Sequence, residues 1–340
     1  MKRTILYVVL AFIVAPIFVS CYQSHKKKLD LAYALVESRP DSALALMKHI
    51  DQEGLSKEEM AKYALTYYIA QDKSGLDLDN DSLIRIAYDW YEGHQEDSLY
   101  VLCLNYMGKF YLLVDSMEQA KSCLEKAYFI SDSLHKMNVK RLVLDKLIEV
   151  EEQLEPYKAL RYAKDMLKMY DSMANVTIYN KVAARLRLGE NFFYVGSLQH
   201  ALEEERKAYR MAMKAGDSNL LSYVRQNLAS TFEEMGEKDS CLYYARLAYD
   251  LNAANRFSCL LTFASAYISV DSLNQAFSLL NQALPKTAED RYSVFYFQSQ
   301  AAMKAQDFKS AKSFSDSAYH YLEDMYRTAL QGKAAYNTSF

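Results

Sequence analysis

The sequence predicts an all-α fold built from repeated helical hairpins, and three observations predict it. Turn-forming residues are scarce, with 9 Gly and 4 Pro in 340 residues, whereas an all-β chain needs turn signals about every ten positions. Small residues return along the chain at a fixed spacing. The dipeptide Asp-Ser, whose side chains suit helix starts, recurs between the predicted helices. At 51% hydrophobic and 24% charged the chain can bury a large core. Its 29 tyrosines suit half-buried packing sites, where the ring is covered and the hydroxyl stays wet.

The first element is a leader. Lys2 and Arg3 precede an apolar run, Ile5 to Val19, of 15 residues. A membrane-spanning helix needs roughly 20, so the run fits the apolar region of a secretory signal. It ends in Phe18-Val19-Ser20-Cys21, which resembles the lipobox of bacterial lipoproteins. That resemblance implies removal of residues 1–20 and attachment of diacylglycerol to Cys21. Residues 21–26 are then an anchor and short tether. Loss of Lys2 and Arg3 takes the 40 basic residues to 38 against 43 acidic ones, a charge of −5. The expected location is the bacterial cell envelope, membrane-anchored and facing the periplasm.

The second element, residues 27–331, is the repeat domain. Gly108 is followed by Ala120 and Ala127, Gly189 by Ala201 and Ala208, Ala229 by Cys241 and Ala248, and Ala264 by Ala276 and Ala283. Each block places a small residue, a second 12 positions on and a third 7 further on, with an aromatic three residues after the first (Tyr111, Phe192, Phe232, Tyr267). A small residue at a helix crossing lets backbones approach, and a large one fills the groove beside it. This pattern resembles the tetratricopeptide repeat, which implies an α-solenoid of antiparallel hairpins. Looser copies are marked by Ala43 and Ile50, by Ala64, Tyr67 and Ala87, by Leu147, Ala159 and Met166, and by Ala311 and Ala318. About eight hairpins result, and the leading slots from Gly108 onward are spaced 39, 42, 40, 35 and 35 residues apart.

Helix starts agree with that phase. Asp115-Ser116, Asp239-Ser240 and Asp271-Ser272 fall at the turns between paired helices, where either side chain is expected to cap. Ser56 with Glu59 reads as a capping box. Pro40 and Pro156 suit a helix's first turn, where no N–H is needed.

The last element is a terminal helix. Leu322, Met325, Tyr326 and Leu330 recur at helical spacing. The sequence predicts a helix ending near Gln331, with this stripe covering the last hairpin or docking a partner. Residues 332–340 are expected to form a loosely held tail.

No catalytic constellation emerges. The sequence has no Gly-rich phosphate loop, HExxH, CxxC or nucleophile elbow. No two of the six histidines sit at metal-ligand spacing, and the acidic loop from Lys73 to Asp81 lacks the EF-hand pattern. Neither an enzymatic role, a cofactor nor a metal is expected. No long basic run crosses the body of the chain, which argues against nucleic acid. Cys103, Cys123, Cys241 and Cys259 read as buried thiols, with a Cys103–Cys123 or Cys241–Cys259 bridge as the alternative in an oxidising compartment.

The tetratricopeptide resemblance implies a protein or peptide partner, held as by a scaffold or assembly factor. Inner-face positions of two repeats, Asn105 and Lys109, then Tyr223, Gln226 and Ser230, are expected to line the partner surface. The carboxylate-gripping pattern of some family members is not reproduced, since Leu186 and Glu190 occupy the matching pair in a third repeat. The architecture also resembles the extracytoplasmic sensor part of bacterial regulators, and, more distantly, lipid-anchored starch-binding proteins of the outer membrane.

Overall fold

The computed structural model describes residues 26–76, 78, 81–94, 98–135, 137–251 and 253–338. The expected leader and Cys21 lie outside these residues. Among the described residues sixteen helices form eight consecutive pairs: α1 (26–35) with α2 (Pro40–Met47), α3 (Lys57–Lys73) with α4 (Ser82–Tyr91), α5 (Ser98–Leu113) with α6 (Met117–Ser133), and α7 (Met137–Leu154) with α8 (Pro156–Ser172). Then come α9 (Ile178–Tyr194) with α10 (Leu198–Ala215), α11 (Ser218–Glu234) with α12 (Lys238–Tyr249), α13 (Arg256–Ser269) with α14 (Leu273–Leu280), and α15 (Ala288–Lys304) with α16 (Phe308–Thr338). The chain divides into two compact units, Met1–Lys146 and Leu147–Phe340.

The small slots lie where the paired helices cross. Ala120, Ala127, Ala201, Ala208, Ala229, Cys241, Ala264 and Ala276 are all buried without exposed surface. At Gly108 the approach is so close that a β-carbon would stand 2.6 Å from Leu124 Cγ. Phe232, in the aromatic slot of α11, stacks on Tyr244 of α12 with centroids 5.5 Å apart.

The turn inside five of the hairpins is built differently from expectation. Seven residues after the leading slot, the backbone turns left-handed at Asp115 (φ 53°), Gly196 (73°), Gly236 (75°), Asp271 (62°) and Gln306 (61°). The next N–H then reaches back to the carbonyl in the aromatic slot: Ser116 to Tyr111 (2.8 Å), Ser197 to Phe192 (2.8 Å), Glu237 to Phe232 (2.9 Å) and Ser272 to Tyr267 (2.9 Å). This is the Schellman way of closing a helix. Asp115 and Asp271 therefore occupy the left-handed position, which Asp tolerates better than most residues. Ser116 and Ser272 stand at the N-caps without side-chain cap bonds, and the third pair, Asp239-Ser240, lies inside α12, whose N-cap is Glu237. Side-chain capping occurs between hairpins, from Thr177, Asp217 and Thr287, and inside the last hairpin, where Asp307 accepts from the Ser310 N–H at 3.1 Å. The Ser56–Glu59 capping box and the first-turn prolines Pro40 and Pro156 are where the sequence places them.

The terminal helix departs from expectation in two ways. It runs to Thr338, past Gly332, because one glycine costs only about 1 kcal/mol relative to alanine and Lys333, Ala334 and Ala335 are good helix formers. Its packed stripe is also rotated from the expected one. Ala311 and Ala318 are buried and Phe314 and Tyr321 meet Phe295 of α15, Tyr321 stacking at 5.8 Å, while Leu322 and Tyr326 are exposed. The side chain of Leu330 lies outside the described residues. Among the described residues no helix is long and apolar enough to cross a membrane.

Candidate partner-binding face

Within Leu147–Phe340 the first helices of successive hairpins touch: α9 meets α11, α11 meets α13, and α13 meets α15. Side-chain hydrogen bonds lace them together. Asn191 Nδ2 of α9 donates to Glu152 Oε1 of α7 at 2.9 Å, across 39 residues. Asn227 Nδ2 of α11 donates to Glu190 Oε1 of α9 at 2.9 Å, across 37. Ser265 Oγ of α13 donates to Glu233 Oε1 of α11 at 2.7 Å, across 32, and Gln226 Nε2 donates to Ser258 Oγ, also across 32. Each separation is the local repeat length less three. Neighbouring first helices thus share one axial offset of about one turn, ~4.5 Å at 1.5 Å per residue. Lys304 extends the ladder to α15, donating to Ile268 O at 2.5 Å and pairing with Asp271 at 3.0 Å, where a cation suits the C-terminal end of α13.

The ladder's acids sit in a partly dried environment. Arg187 lies 3.5 Å from Glu152 and 3.7 Å from Glu190. Asn191 is 1% exposed and donates also to Arg187 O at 2.8 Å. Burial raises the Glu152 carboxyl above its ordinary range against the opposing pull of Arg187 and Asn191. Burial, with the nearby Glu152 and Glu190, likewise raises the Tyr194 phenol. Tyr194 and Tyr223 remain 59% and 45% exposed on these helices. Beneath this face Glu205 of α10 is 1% exposed and accepts from Thr231 Oγ1 at 2.7 Å. Burial pushes its carboxyl up to about 7.

The five predicted partner residues fall in the two separate units. Asn105 and Lys109 belong to Met1–Lys146, where Asn105 is buried and Lys109 is paired with Asp72. Tyr223, Gln226 and Ser230 share α11 in the other unit. Of these Tyr223 is open. Gln226 is bonded to Ser258 and accepts from Asn255 Nδ2 at 3.0 Å, and Ser230 Oγ donates to Gln226 O at 3.2 Å. Sequence reasoning missed the ladder residues Glu152, Asn191, Asn227, Glu233 and Ser265. Their signal is a polar pair recurring at the repeat length less three, which becomes visible once the repeat phase is set.

Cys103, Cys241 and Cys259 are buried, Cys123 is only half-buried, none of the four is in a disulfide, and Cys259 Sγ lies 3.1 Å from Ser222 Oγ. Among the described residues no group of histidine, cysteine and carboxylate side chains is arranged to hold a metal ion.

No protein-family model matches the chain, and no curated protein matches it in sequence. Solved structures do. The apo form of RapI is similar with a TM-score of 0.66 and 14% identity, over 88% of this chain and 86% of that one. A Rap protein complexed with Competence and Sporulation Factor gives 0.60 and 14%, over 91% and 99%. NprR in complex with its cognate peptide NprX gives 0.59 and 15%, over 85% and 86%. A signal transduction ATPase with a tetratricopeptide repeat sensor, from Pyrococcus horikoshii, gives 0.62 and 13%, over 90% of this chain and 48% of that one. At such low identity the likeness speaks for the fold: the chain is an all-α, tetratricopeptide-like solenoid of helical hairpins.

Proposed function

We propose that the chain is a lipid-anchored, extracytoplasmic protein that binds a protein or peptide partner, as a scaffold or assembly factor, along the first helices of Leu147–Phe340. The observation that carries this is the ladder. It fixes α7, α9, α11 and α13 by side-chain bonds and leaves Tyr194 and Tyr223 exposed beside it. A rigid face with open aromatics suits binding, because little side-chain order is lost when a partner docks. Solved proteins of the same fold include one crystallised with its cognate peptide, which supports a peptide-sized partner. The absence of a nucleophile–base pair in the ladder supports binding over catalysis. A sensor role, passing the bound state to another protein, is the alternative, supported by the fold's likeness to a tetratricopeptide sensor.

A photo-crosslinking residue placed at Tyr194 or Tyr223 in the full chain, with Tyr243 on α12 as control, tests the reading in cells. Discrete adducts from the first two positions, absent from the third, are expected. Adducts from Tyr243 alone would move the partner to the second helices and sink the proposal.

A further inference from the structure

On α8 and α10, two second helices of Leu147–Phe340, a set of cations stands outside the ion pairs. Arg161, Lys164 and Lys168 recur along α8, and Arg206, Arg210 and Lys214 along α10. All six are exposed, and among the described residues none meets a carboxylate within ion-pair distance. Two of the nearby acids, Glu204 and Asp171, are already engaged. Glu204 takes Arg185 at 2.8 Å and Lys207 at 2.5 Å, and Asp171 lies 3.7 Å from Arg185. Arg185 of α9 thereby ties the C-terminal end of α8 to α10. Glu203 is the one exposed carboxylate on α10.

The repeat aligns these cations in rows. Lys164 and Arg206 each stand two residues before the third small slot, and Lys168 and Arg210 stand two residues after it; in α12 the same two positions hold Arg246 and Asp250, which pair with each other at 3.7 Å. Lys164 lies over the Phe192 ring at 5.2 Å and Arg206 over the Phe232 ring at 6.0 Å. Both therefore rise from the same place in successive repeats. Beside them a cleft of about 570 Å³ has Tyr209, Met211 and Met213 among its walls, with Lys207, Arg210 and Lys214 around it. Because the cations are spaced by a repeat, no basic run is visible in the sequence.

We infer that this second-helix face of α8 and α10 rests on an anionic phospholipid surface, the cations meeting headgroup phosphates and the methionine-walled cleft meeting the acyl boundary. A net negative chain that gathers unpaired cations on one side is complementary to such a surface. Exposed methionine next to lysine and arginine suits the join between charged headgroup and apolar tail, where long basic side chains keep their heads in the polar layer. An acidic protein would need carboxylates at matching row spacing, and would leave the methionine walls without a purpose.

The test reads contact rather than attachment. The full chain is added to vesicles of phosphatidylglycerol and of phosphatidylcholine, and amine acetylation of each lysine is followed by mass spectrometry. Each cation near an anionic surface adds roughly fivefold to partition. Acetylation of Lys164, Lys168 and Lys214 should therefore slow several-fold on phosphatidylglycerol only, and recover in high salt, while Lys286 keeps its rate. The variant carrying Lys168→Glu, Arg210→Glu and Lys214→Glu changes exposed residues alone. It should keep its melting temperature and lose the protection of Lys164. Equal labelling on the two vesicle types overturns the inference, as does protection of Lys164 that survives the triple charge reversal. Protection by an acidic protein or a nucleic acid with none from phosphatidylglycerol overturns it too.

Discussion

Thr231 donates its hydroxyl to Glu205 Oε1 at 2.7 Å, and the other carboxyl oxygen of Glu205 is buried without a hydrogen-bond partner. With its carboxyl raised to about 7 from an ordinary 4.5, the folded chain holds a proton there that the unfolded chain releases. Stability contributed by the protonated form is present below about pH 4.5 and is lost as pH rises to about 7. The loss is on the order of 3 kcal/mol, and raised Glu152 adds to it in the same direction. Glu205→Gln keeps the Thr231 bond and removes the titration. Urea unfolding at pH 5 and pH 8 should show the variant gaining on the parent at the higher pH. A pH-independent difference would remove Glu205 as the source.

The two buried glycines should respond unequally to alanine. A β-carbon on Gly108 meets Leu124 Cγ at 2.6 Å, whereas one on Gly189 meets Glu205 Cγ at 3.2 Å and Ala201 O at 3.4 Å. Overpacking costs about 1–3 kcal/mol, against a helix-propensity gain of about 1 kcal/mol. Gly108→Ala is expected to lower the melting temperature, and Gly189→Ala to stay near the parent. The reverse order would contradict the closeness assigned to α5 and α6.

The ladder should matter most where it is driest. Asn191→Ala strands the partly buried Glu152 beside Arg187 and should cost about 1–3 kcal/mol. Asn227→Ala loosens a wetter pair, since Glu190 keeps 36% side-chain exposure, and should cost less. Denaturant midpoints at constant slope measure both. An Asn191 variant indistinguishable from the parent would make the ladder energetically idle.

Anchoring is checked at Cys21. Cys21→Ala should abolish lipid labelling, and either release the chain from membranes or leave it as an unprocessed precursor. Unchanged labelling and attachment in fractionation would refute the lipoprotein reading.

On the terminal helix, Tyr321 stacks on Phe295 while Tyr326 is 65% exposed. Tyr321→Ala should destabilise by about 1–3 kcal/mol through lost ring burial, and Tyr326→Ala by less than about 0.5 kcal/mol. Similar losses at both sites would restore the stripe that the sequence suggests.

That stripe shows where sequence reasoning stops. The small slots were legible because only a small side chain fits a helix crossing, and those positions are buried in the structure except Ala283, which lies past the end of α14 and is half-buried. α16 carries two apolar stripes, one through Phe314, Ala318 and Tyr321 and one through Tyr319, Leu322 and Tyr326. Periodicity alone cannot say which faces α15. Gln226 and Ser230 looked available because their partners, Ser258 and the Gln226 carbonyl, become neighbours only through the fold. The Asp-Ser pairs look like caps because the same residues that cap helix starts also tolerate the left-handed turn that ends the helix before.

The shared offset of the first helices bears on how such a chain tolerates change. Repeats of 42, 40 and 35 residues keep one set of cross-links, so the difference in length is absorbed outside the bonded segments. The difference lies in the second helices: α8 and α10 run 17 and 18 residues in the two longer repeats, whereas α12 and α14 run 12 and 8. Extra residues at the far end of a second helix would leave both the cross-links and the left-handed turns untouched. One residue added between a leading slot and its turn would instead rotate everything downstream by about 100° about the helix axis. The chain is thus built from modules whose first helices and turns keep one register while their second helices vary in length.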